Sequence, residues 1–387
     1  MGGYQVRTID AVTSCDTWEV DLPHTATPAS DSPYLVLGNC LIDMYSSSGE
    51  PGYESRETID TMARSALGGG FARVGILPNT DPPTDNCTSA QFWRQLGNPF
   101  LPWGAITRGL KGEEMTDLAE LAEVVVGFGD GQPIDNLALV RRVLEYVQPF
   151  GKPVLLFAQN RPLRAKGVMH EGKWSALYGM EGIPAVAETA QLAALLELVR
   201  YTQTPTHFMR ISTGRSIQLI AQAKADDLPV TASVTWMHLC FSDRDLSSYS
   251  PHLKLNPPLA SDADRHALIT GIKTGVIDAI AIDHTPYTYE EKMVAFESAP
   301  SGCIGLEFAL PVLWQELVET GLLSALELWR ALSVGPARCL GIDLPNTKIW
   351  FDPHAVHTPS ASLSRNSPFY GKPLRGKVLH TSLLPGP

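Results

Sequence analysis

Basic residues are scarce in this sequence, and no long apolar segment interrupts it. The 387 residues include 30 Lys and Arg against 41 Asp and Glu, so the formal net charge is −11. This balance argues against nucleic-acid binding, because nucleic-acid grooves are usually basic. No apolar segment approaches the ~20 residues that a membrane span needs. The start of the chain also lacks the basic and then apolar layout of a signal peptide. We therefore expect a globular protein with no nucleic-acid or membrane partner.

Cysteine is sparse and unpatterned, and no two copies form a CxxC pair. We expect buried thiols in the reducing cytoplasm and no zinc site built on cysteine. Motifs for two other chemistries are also absent. No GxSxG motif surrounds the serines at 46–48, and no P-loop or GxGxxG stands between a strand and a helix. The six cysteines are Cys15, Cys40, Cys87, Cys240, Cys303 and Cys339.

Short apolar strands alternate with helical periods over most of the chain. One helix is indicated by Leu192, Leu195, Leu196 and Val199, which share a helix face. Repeated strand–helix units over roughly 250–300 residues favour an α/β fold, the (β/α)8 TIM barrel, whose active site lies on the loops after the strands. Its strands are predicted at residues 71–77, 102–107, 123–128, 154–157, 207–211, 230–234 and 276–282. Earlier short strands are predicted at 5–9, 17–20 and 34–37.

The most informative segment is residues 276–310, VIDAIAIDHTPYTYEEKMVAFESAPSGCIGLEFAL. Its β-branched run suits a buried strand and ends in Asp283, at the strand end where barrel enzymes keep catalytic groups. The segment resembles a signature of the dihydroorotases, in which Asp-His-Ala-Pro-His is followed by Glu-Lys and Gly-x-x-Gly-Leu-Glu. Tyr287 stands where the second His belongs. The residues that fit are Asp283, His284, Pro286, Glu291, Lys292, Gly302, Gly305, Leu306 and Glu307.

The resemblance covers almost the whole chain from Leu41 onwards, with its motifs in family order. It implies an amidohydrolase barrel over residues 40–339 and a small β-domain built from both termini, residues 1–39 and 340–387. It also implies the family's reaction, the reversible closure of N-carbamoyl-aspartate to dihydroorotate in pyrimidine biosynthesis. That reaction uses a metal-bound hydroxide, and Asp283 corresponds to its general acid/base.

Most of the family's metal ligands are replaced in this sequence. The family pattern Ile-Asp-x-His-x-His-Leu-Arg-Glu-Pro-Gly aligns without a gap on residues 42–52, so Tyr45 and Ser47 replace both His and Gly49 replaces Arg. Phe157 and Arg210 stand where two further His ligands belong. A phenol and a hydroxyl do not hold zinc at useful affinity. The resemblance therefore predicts no bound metal and no cofactor.

Other positions also depart from the family. Gln159 and Asn160 replace two acids by amides, which keep the shape of the carboxylates without their charge. Two substrate contacts besides Gly49 are lost, at Tyr287 and Ala260. In residues 128–131 (FGDG), an ungapped alignment places the remaining ligand Asp at Gly129, whereas a shift of one residue places it at Asp130. Both alignments stay open.

Four residues remain as candidates for a site. Asp283 is the remnant of the family acid/base and is expected to be silent, while Asn79, Asn256 and Arg210 are candidates for binding a substrate or metabolite. Each asparagine is also consistent with a simple turn residue, and His207 with a hydrogen-bonded core residue. We expect Arg210 to pair with Asp283 and to replace the metal cation electrostatically.

The resemblance predicts a cytoplasmic dihydroorotase homologue that is catalytically silent and acts as a structural or regulatory subunit. Its suggested partner is aspartate carbamoyltransferase, which some bacterial dihydroorotase-like chains bind, and homo-oligomerisation is also expected. Two alternatives stay open: a divergent cyclic amidohydrolase with an altered mechanism, and a metabolite-binding module that uses the emptied pocket.

Overall fold

A computed structural model describes residues 5–19 and 32–381. Its strands are β1 Gln5–Asp10, β2 Cys15–Glu19, β3 Tyr34–Asn39, β4 Leu41–Ser46, β5 Phe71–Ile76, β6 Phe100–Gly104, β7 Gly127–Phe128, β8 Val154–Phe157, β9 Met169–His170, β10 Gly182–Ile183, β11 Thr206–Met209, β12 Val230–Thr235, β13 Ala279–Ala281, β14 Lys348–His357 and β15 Leu374–Thr381.

The helices fill most of the intervals between strands. They are α1 Ile59–Gly68, α2 Cys87–Leu96, α3 Leu118–Ala122, α4 Leu137–Val147, α5 Arg161–Arg164, α6 Lys173–Tyr178, α7 Val186–Thr202, α8 Gly214–Ala225, α9 Trp236–Cys240, α10 Asp262–Lys273, α11 Tyr289–Lys292, α12 Ala309–Leu313, α13 Ala325–Leu332 and α14 Val334–Leu340. None of the helices in the described part of the chain has the length and apolar character needed to cross a membrane.

Eight parallel strands form the main sheet, in the order β13-β12-β11-β8-β7-β6-β5-β4. At the seam between its two edge strands, the Ile282 N–H donates to Asp43 Oδ1 at 2.7 Å and the Ser47 N–H donates to the His284 carbonyl at 2.8 Å. The sheet therefore curls into a nearly closed barrel, and the predicted barrel is confirmed. The carboxyl ends of all eight strands point to one mouth, where a site is expected in this fold.

The second sheet has the order β15-β14-β3-β1-β2 and combines strands from both ends of the chain. It meets the barrel at Gly38, where an added Cβ would lie 2.2 Å from Trp329 Nε1. Trp329 Nε1 donates to the Asn39 carbonyl at 2.9 Å, which fixes this joint. The small β-domain from both termini is thus present, while its exact boundaries, residues 1–39 and 340–387, stay a prediction. The last residue of the strand predicted at 17–20 lies outside the described residues.

Two predicted strands are shorter than expected. Residues 123–128 form a strand only at Gly127–Phe128, because the N–H groups of Val124 and Val125 both bond to the Leu121 carbonyl at the end of α3. Residues 276–282 form a strand only at Ala279–Ala281, because the Ile277 N–H turns back to the Gly271 carbonyl. In both cases apolar residues predicted as strand follow a helix and bond back to one of its carbonyls.

All six cysteines are unpaired thiols. Burial raises the pKa of Cys40 to about 11 and that of Cys303 to about 12, so both remain protonated at neutral pH.

Candidate functional site

The barrel mouth is organised around an ion pair between Arg210, which follows β11, and Asp283, which follows β13. Arg210 Nε donates to Asp283 Oδ2 at 2.8 Å, and Arg210 Nη2 donates to Asp283 Oδ1 at 2.6 Å. The two side chains are only 11% and 17% exposed. A bidentate pair occupies both carboxylate oxygens with parallel charge-assisted bonds. The pairing predicted from the sequence is therefore present.

Both partners have left-handed backbone conformations, with φ of 56° at Arg210 and 53° at Asp283. Such conformations are uncommon for residues other than glycine and cost on the order of 1–3 kcal/mol each, so the surrounding structure must hold them. The Arg210 N–H donates to Tyr45 Oη at 3.0 Å, and the Ile282 N–H, just before Asp283, donates to Asp43. These contacts aim the two charged groups at each other.

The third arm of the guanidinium joins a neighbouring loop. Arg210 Nη1 donates to the Gly131 carbonyl at 2.9 Å. The guanidinium carbon lies 5.3 Å from the centre of the Phe157 ring and 5.7 Å from that of Tyr45. Phe157 and Tyr45 stand at former ligand positions of the resembled family, and their aromatic faces favour a cation. Arg210 thus fills the space between them.

Tyr45 belongs to a buried chain of hydrogen bonds inside the barrel. Its hydroxyl lies 3.0 Å from Ser233 Oγ, which lies 2.8 Å from His207 Nε2, and His207 Nδ1 lies 2.8 Å from Thr231 Oγ1. Burial lowers the pKa of His207 to about 3, so the imidazole is neutral. The interpretation of His207 as a hydrogen-bonded core residue is confirmed. Burial also raises the pKa of Tyr45, and its phenol stays protonated.

Asn79 and Asn256 are both tied to other side chains. Asn79 Nδ2 donates to Ser47 Oγ at 2.9 Å, which joins the loops after β4 and β5. Gln159 Nε2 donates to Asn256 Oδ1 at 2.8 Å, which joins the loop after β8 to residue 256. The structure gives each amide a positioning contact, and their role in binding stays a prediction.

The loop after β7 shows where the two alternatives for the family's acidic ligand lie. A Cβ added at Gly129 would lie 2.7 Å from Leu155 Cβ, so that position has no room for a side chain. Asp130 accepts from the Ile106 N–H at 2.7 Å and from the Thr107 hydroxyl at 2.5 Å. Its carboxylate holds the neighbouring loop, and burial raises its pKa. Neither position offers a free carboxylate to the mouth.

Two of the lost substrate contacts have structural explanations. A Cβ at Gly49 would lie 2.4 Å from the Glu57 carbonyl oxygen, so an arginine does not fit the present loop. Tyr287 packs beside the Arg56 guanidinium, whose carbon lies 5.0 Å from the ring centre, and Arg56 pairs with Glu291. Burial raises the pKa of the Tyr287 phenol. These residues support the loops and leave no cation directed at a substrate carboxylate.

Burial sets the protonation of the acids at the mouth. It raises the pKa of Asp283 above the usual range, while the charge and hydrogen bonds of Arg210 oppose that rise. Asp43 is fully buried, and no cation in the described part of the chain pairs with it, so burial raises its pKa to about 7 despite the hydrogen bonds from Ser46 and Ile282. The sequence reasoning missed Asp43. The available signal was an acid within the otherwise apolar start of strand β4, LIDMYS.

The donor set at the mouth does not fit a zinc ion. Asp283 has both oxygens bonded to a guanidinium, and the aligned positions Tyr45, Ser47 and Phe157 offer no ligand of the kind that zinc prefers. Across residues 5–19 and 32–381, no three His, Cys, Asp or Glu side chains converge as metal ligands would. The permanent positive charge of Arg210 would also repel a dication here.

Fold and site together define a (β/α)8 barrel whose mouth carries a bidentate ion pair between Arg210 and Asp283. Solved structures agree on the fold: an L-hydantoinase from Arthrobacter aurescens superposes with a TM-score of 0.80, at 20% identity, over 98% of this chain and 94% of that one. The model of the family described as dihydro-orotase-like matches residues 35–215.

Curated relatives identify the family more closely. A probable dihydroorotase-like protein of Synechocystis sp. is 42% identical over 89% of this chain and 87% of its own length. A dihydroorotase of Pelotomaculum thermopropionicum is 41% identical over 87% of this chain and 83% of its own length. This chain therefore belongs to the dihydroorotase-like family.

Proposed function

We propose that this chain is a catalytically silent member of its family, acting as a structural or regulatory subunit in the cytoplasm, with aspartate carbamoyltransferase as partner. The observation that carries the proposal is the bidentate pair between Arg210 and Asp283. The guanidinium neutralises the charge of this carboxylate and occupies one lone pair on each of its oxygens, which makes Asp283 a weaker base and a weaker metal ligand.

The family reaction depends on metal-bound hydroxide and on a carbonyl polarised by metal. The residues present supply neither, since the ligand positions carry Tyr45, Ser47, Phe157 and Arg210. Asp283 without a neighbouring hydroxide has no proton to move in that reaction. The Arg210 charge stabilises the fold at the position where a cation would otherwise sit.

Hydrogen bonds from two acidic side chains nevertheless hold the segments around the mouth in place, which supports a scaffolding role. Buried Glu57 accepts from the Leu363 N–H at 2.9 Å and from the Ser362 hydroxyl. Glu307, from the retained Gly-Leu-Glu motif, accepts from the Ala361 N–H at 2.8 Å. Buried Glu57 and half-buried Glu307 thus fasten the segment before β15 to the barrel. A fold maintained in this way can present a fixed outer surface to a partner.

The first test is elemental analysis of the purified chain together with a dihydroorotate hydrolysis assay, with and without added zinc. We expect no zinc that survives dialysis and no turnover, with the Pelotomaculum dihydroorotase as the positive control. Turnover that Asp283→Ala abolishes would instead establish an enzyme with an altered mechanism.

The second test is size-exclusion chromatography with and without aspartate carbamoyltransferase. We expect a homo-oligomer or co-elution with the transferase, through a stable interface of roughly 800 Å² per partner or more. A strictly monomeric chain that ignores the transferase would contradict the subunit role.

A further inference from the structure

A cavity of about 850 Å³ lies among the loops that follow β12 and β13. Its walls come from the loop at 248–253, from helix α11 with the residues after it, and from the segment 365–372. Neither Asp283 nor Arg210 lines it. Cavities of this size commonly hold small organic ligands, so its lining chemistry bears on function separately from the ion pair.

Positive charge converges on this cavity. Lys292, Arg365 and Lys372 line it together with His252. The ion pairs within residues 5–19 and 32–381 all join other side chains, and none includes one of these three cations. The Lys292 ammonium instead donates to the carbonyls of Pro251 and Pro300, at 3.0 and 2.7 Å. Such a cluster is notable in a chain of net charge −11.

These basic groups act on one another. Burial lowers the pKa of Lys292 to about 8, and the nearby Lys254 ammonium adds to this effect. Burial also lowers the pKa of His252, and the charges of Lys292 and Lys372 lower it further. His252 Nδ1 is buried and has no hydrogen-bond partner among the residues that the structure describes. An anion in the cavity would relieve this repulsion.

The remaining walls offer apolar and aromatic surface. Tyr289 is 58% exposed and Met293 62% exposed, and both line the cavity. The Arg365 guanidinium lies over the Tyr370 ring, with its carbon 5.7 Å from the ring centre. Exposed aromatic side chains can stack on a flat ring, while a guanidinium can bind phosphate through two parallel bonds.

The floor of the cavity is already ordered. Asn366 is 2% exposed, donates to the Thr285 carbonyl at 2.8 Å, and accepts from the Tyr287 N–H at 3.2 Å. The segment that carries Arg365 is thereby fixed to the loop that follows Asp283. A ligand would therefore bind to a site that needs little rearrangement.

We propose that this cavity binds a small organic anion with a flat ring, of the nucleoside phosphate class. The phosphate would lie against Arg365, Lys372 and Lys292, and the ring against Tyr289 or Tyr370. This site is independent of the proposed silent active site and of the transferase.

The test is isothermal titration of the full chain with uridine 5′-monophosphate and adenosine 5′-monophosphate, compared with uridine, adenosine and inorganic phosphate. We expect a nucleoside monophosphate to bind more tightly than either the nucleoside or the phosphate alone. The double variant Arg365→Gln/Lys372→Gln should weaken that binding by about tenfold or more, since it removes two charge-assisted contacts. The control Arg64→Gln/Lys111→Gln removes the same charge elsewhere on the surface and should leave binding unchanged.

Both altered residues in the test variant are exposed, and thermal unfolding curves verify that each variant folds. Absence of nucleotide binding would overturn the proposal, as would binding that the control variant weakens equally. Binding of a polyglutamate peptide without any nucleotide binding would also overturn it and would assign the surface to an acidic protein partner.

Discussion

Replacing Arg210 by methionine tests whether the ion pair holds the barrel mouth together. Asp283 would keep its buried position but lose both hydrogen bonds from the guanidinium, and the Gly131 carbonyl would lose its donor. Removing one partner of a buried pair costs about 3–5 kcal/mol, because the remaining charge has no partner. We expect a loss of that size in the free energy of unfolding at pH 8.

The pH dependence separates the effect of charge from that of packing. Burial raises the pKa of Asp283 and Arg210 opposes the rise, so the pKa rises further when Arg210 is absent. The variant then avoids the unpaired charge by binding a proton as the pH falls. Its destabilisation relative to the parent should be largest at pH 8 and should shrink towards pH 5.

Urea denaturation followed by tryptophan fluorescence provides the measurement. The control is Arg64→Met, which breaks an ion pair with Asp60 whose side chains are 60% and 79% exposed, and which should cost less than about 1 kcal/mol. The double variant Arg210→Met/Asp283→Asn removes both charges and should recover much of the loss. A double variant as unstable as the single one at pH 8 would refute the charge argument.

Three further predictions concern other residues that hold the mouth and its surroundings. The stability of the parent should fall by about 1.4 kcal/mol per pH unit between about pH 4 and pH 7, and Asp43→Asn should abolish this fall. In the parent, a folded-state pKa of about 7 keeps a proton on Asp43 that the unfolded chain has released; parallel pH profiles of the denaturation midpoints would contradict this. Glu57→Ala should speed hydrogen exchange at the Leu363 amide, which loses its acceptor, whereas Glu57→Gln should have a smaller effect; unchanged exchange in both would count against the fastening role. Gly49→Ala should lower the thermal midpoint, because its Cβ would meet the Glu57 backbone at 2.4 Å, whereas Gly172→Ala, where a Cβ meets nothing within 4 Å, should not; equal midpoints would show that the loop adapts.

Local patterns in the sequence were sufficient for the architecture and for much of the mouth. Buried parallel strands are continuous apolar runs, so alternating runs and helical periods predict a barrel before any contact is known. Strand ends also fix which residues meet, since parallel strands deliver their last residues to the same mouth. The family resemblance, which places Arg210 at a metal-ligand position beside Asp283, predicted their approach across 73 positions of sequence. The predicted starts of the strands near Val124 and Ile277 were wrong, because apolar residues also occur in the segment that follows a helix.

Only the tertiary structure decided the contacts that depend on the direction of a side chain or on segments far apart in the sequence. The sequence does not show that Asp130 turns towards Thr107, that the Gly131 carbonyl receives Arg210, or that Asp43 closes the barrel seam. The basic cavity is a stronger case, because its cations come from residues 292, 365 and 372 and no motif spans them. The direction of a side chain and the contact between remote loops arise from packing of the whole chain. Periodicity along the sequence does not predict either of them.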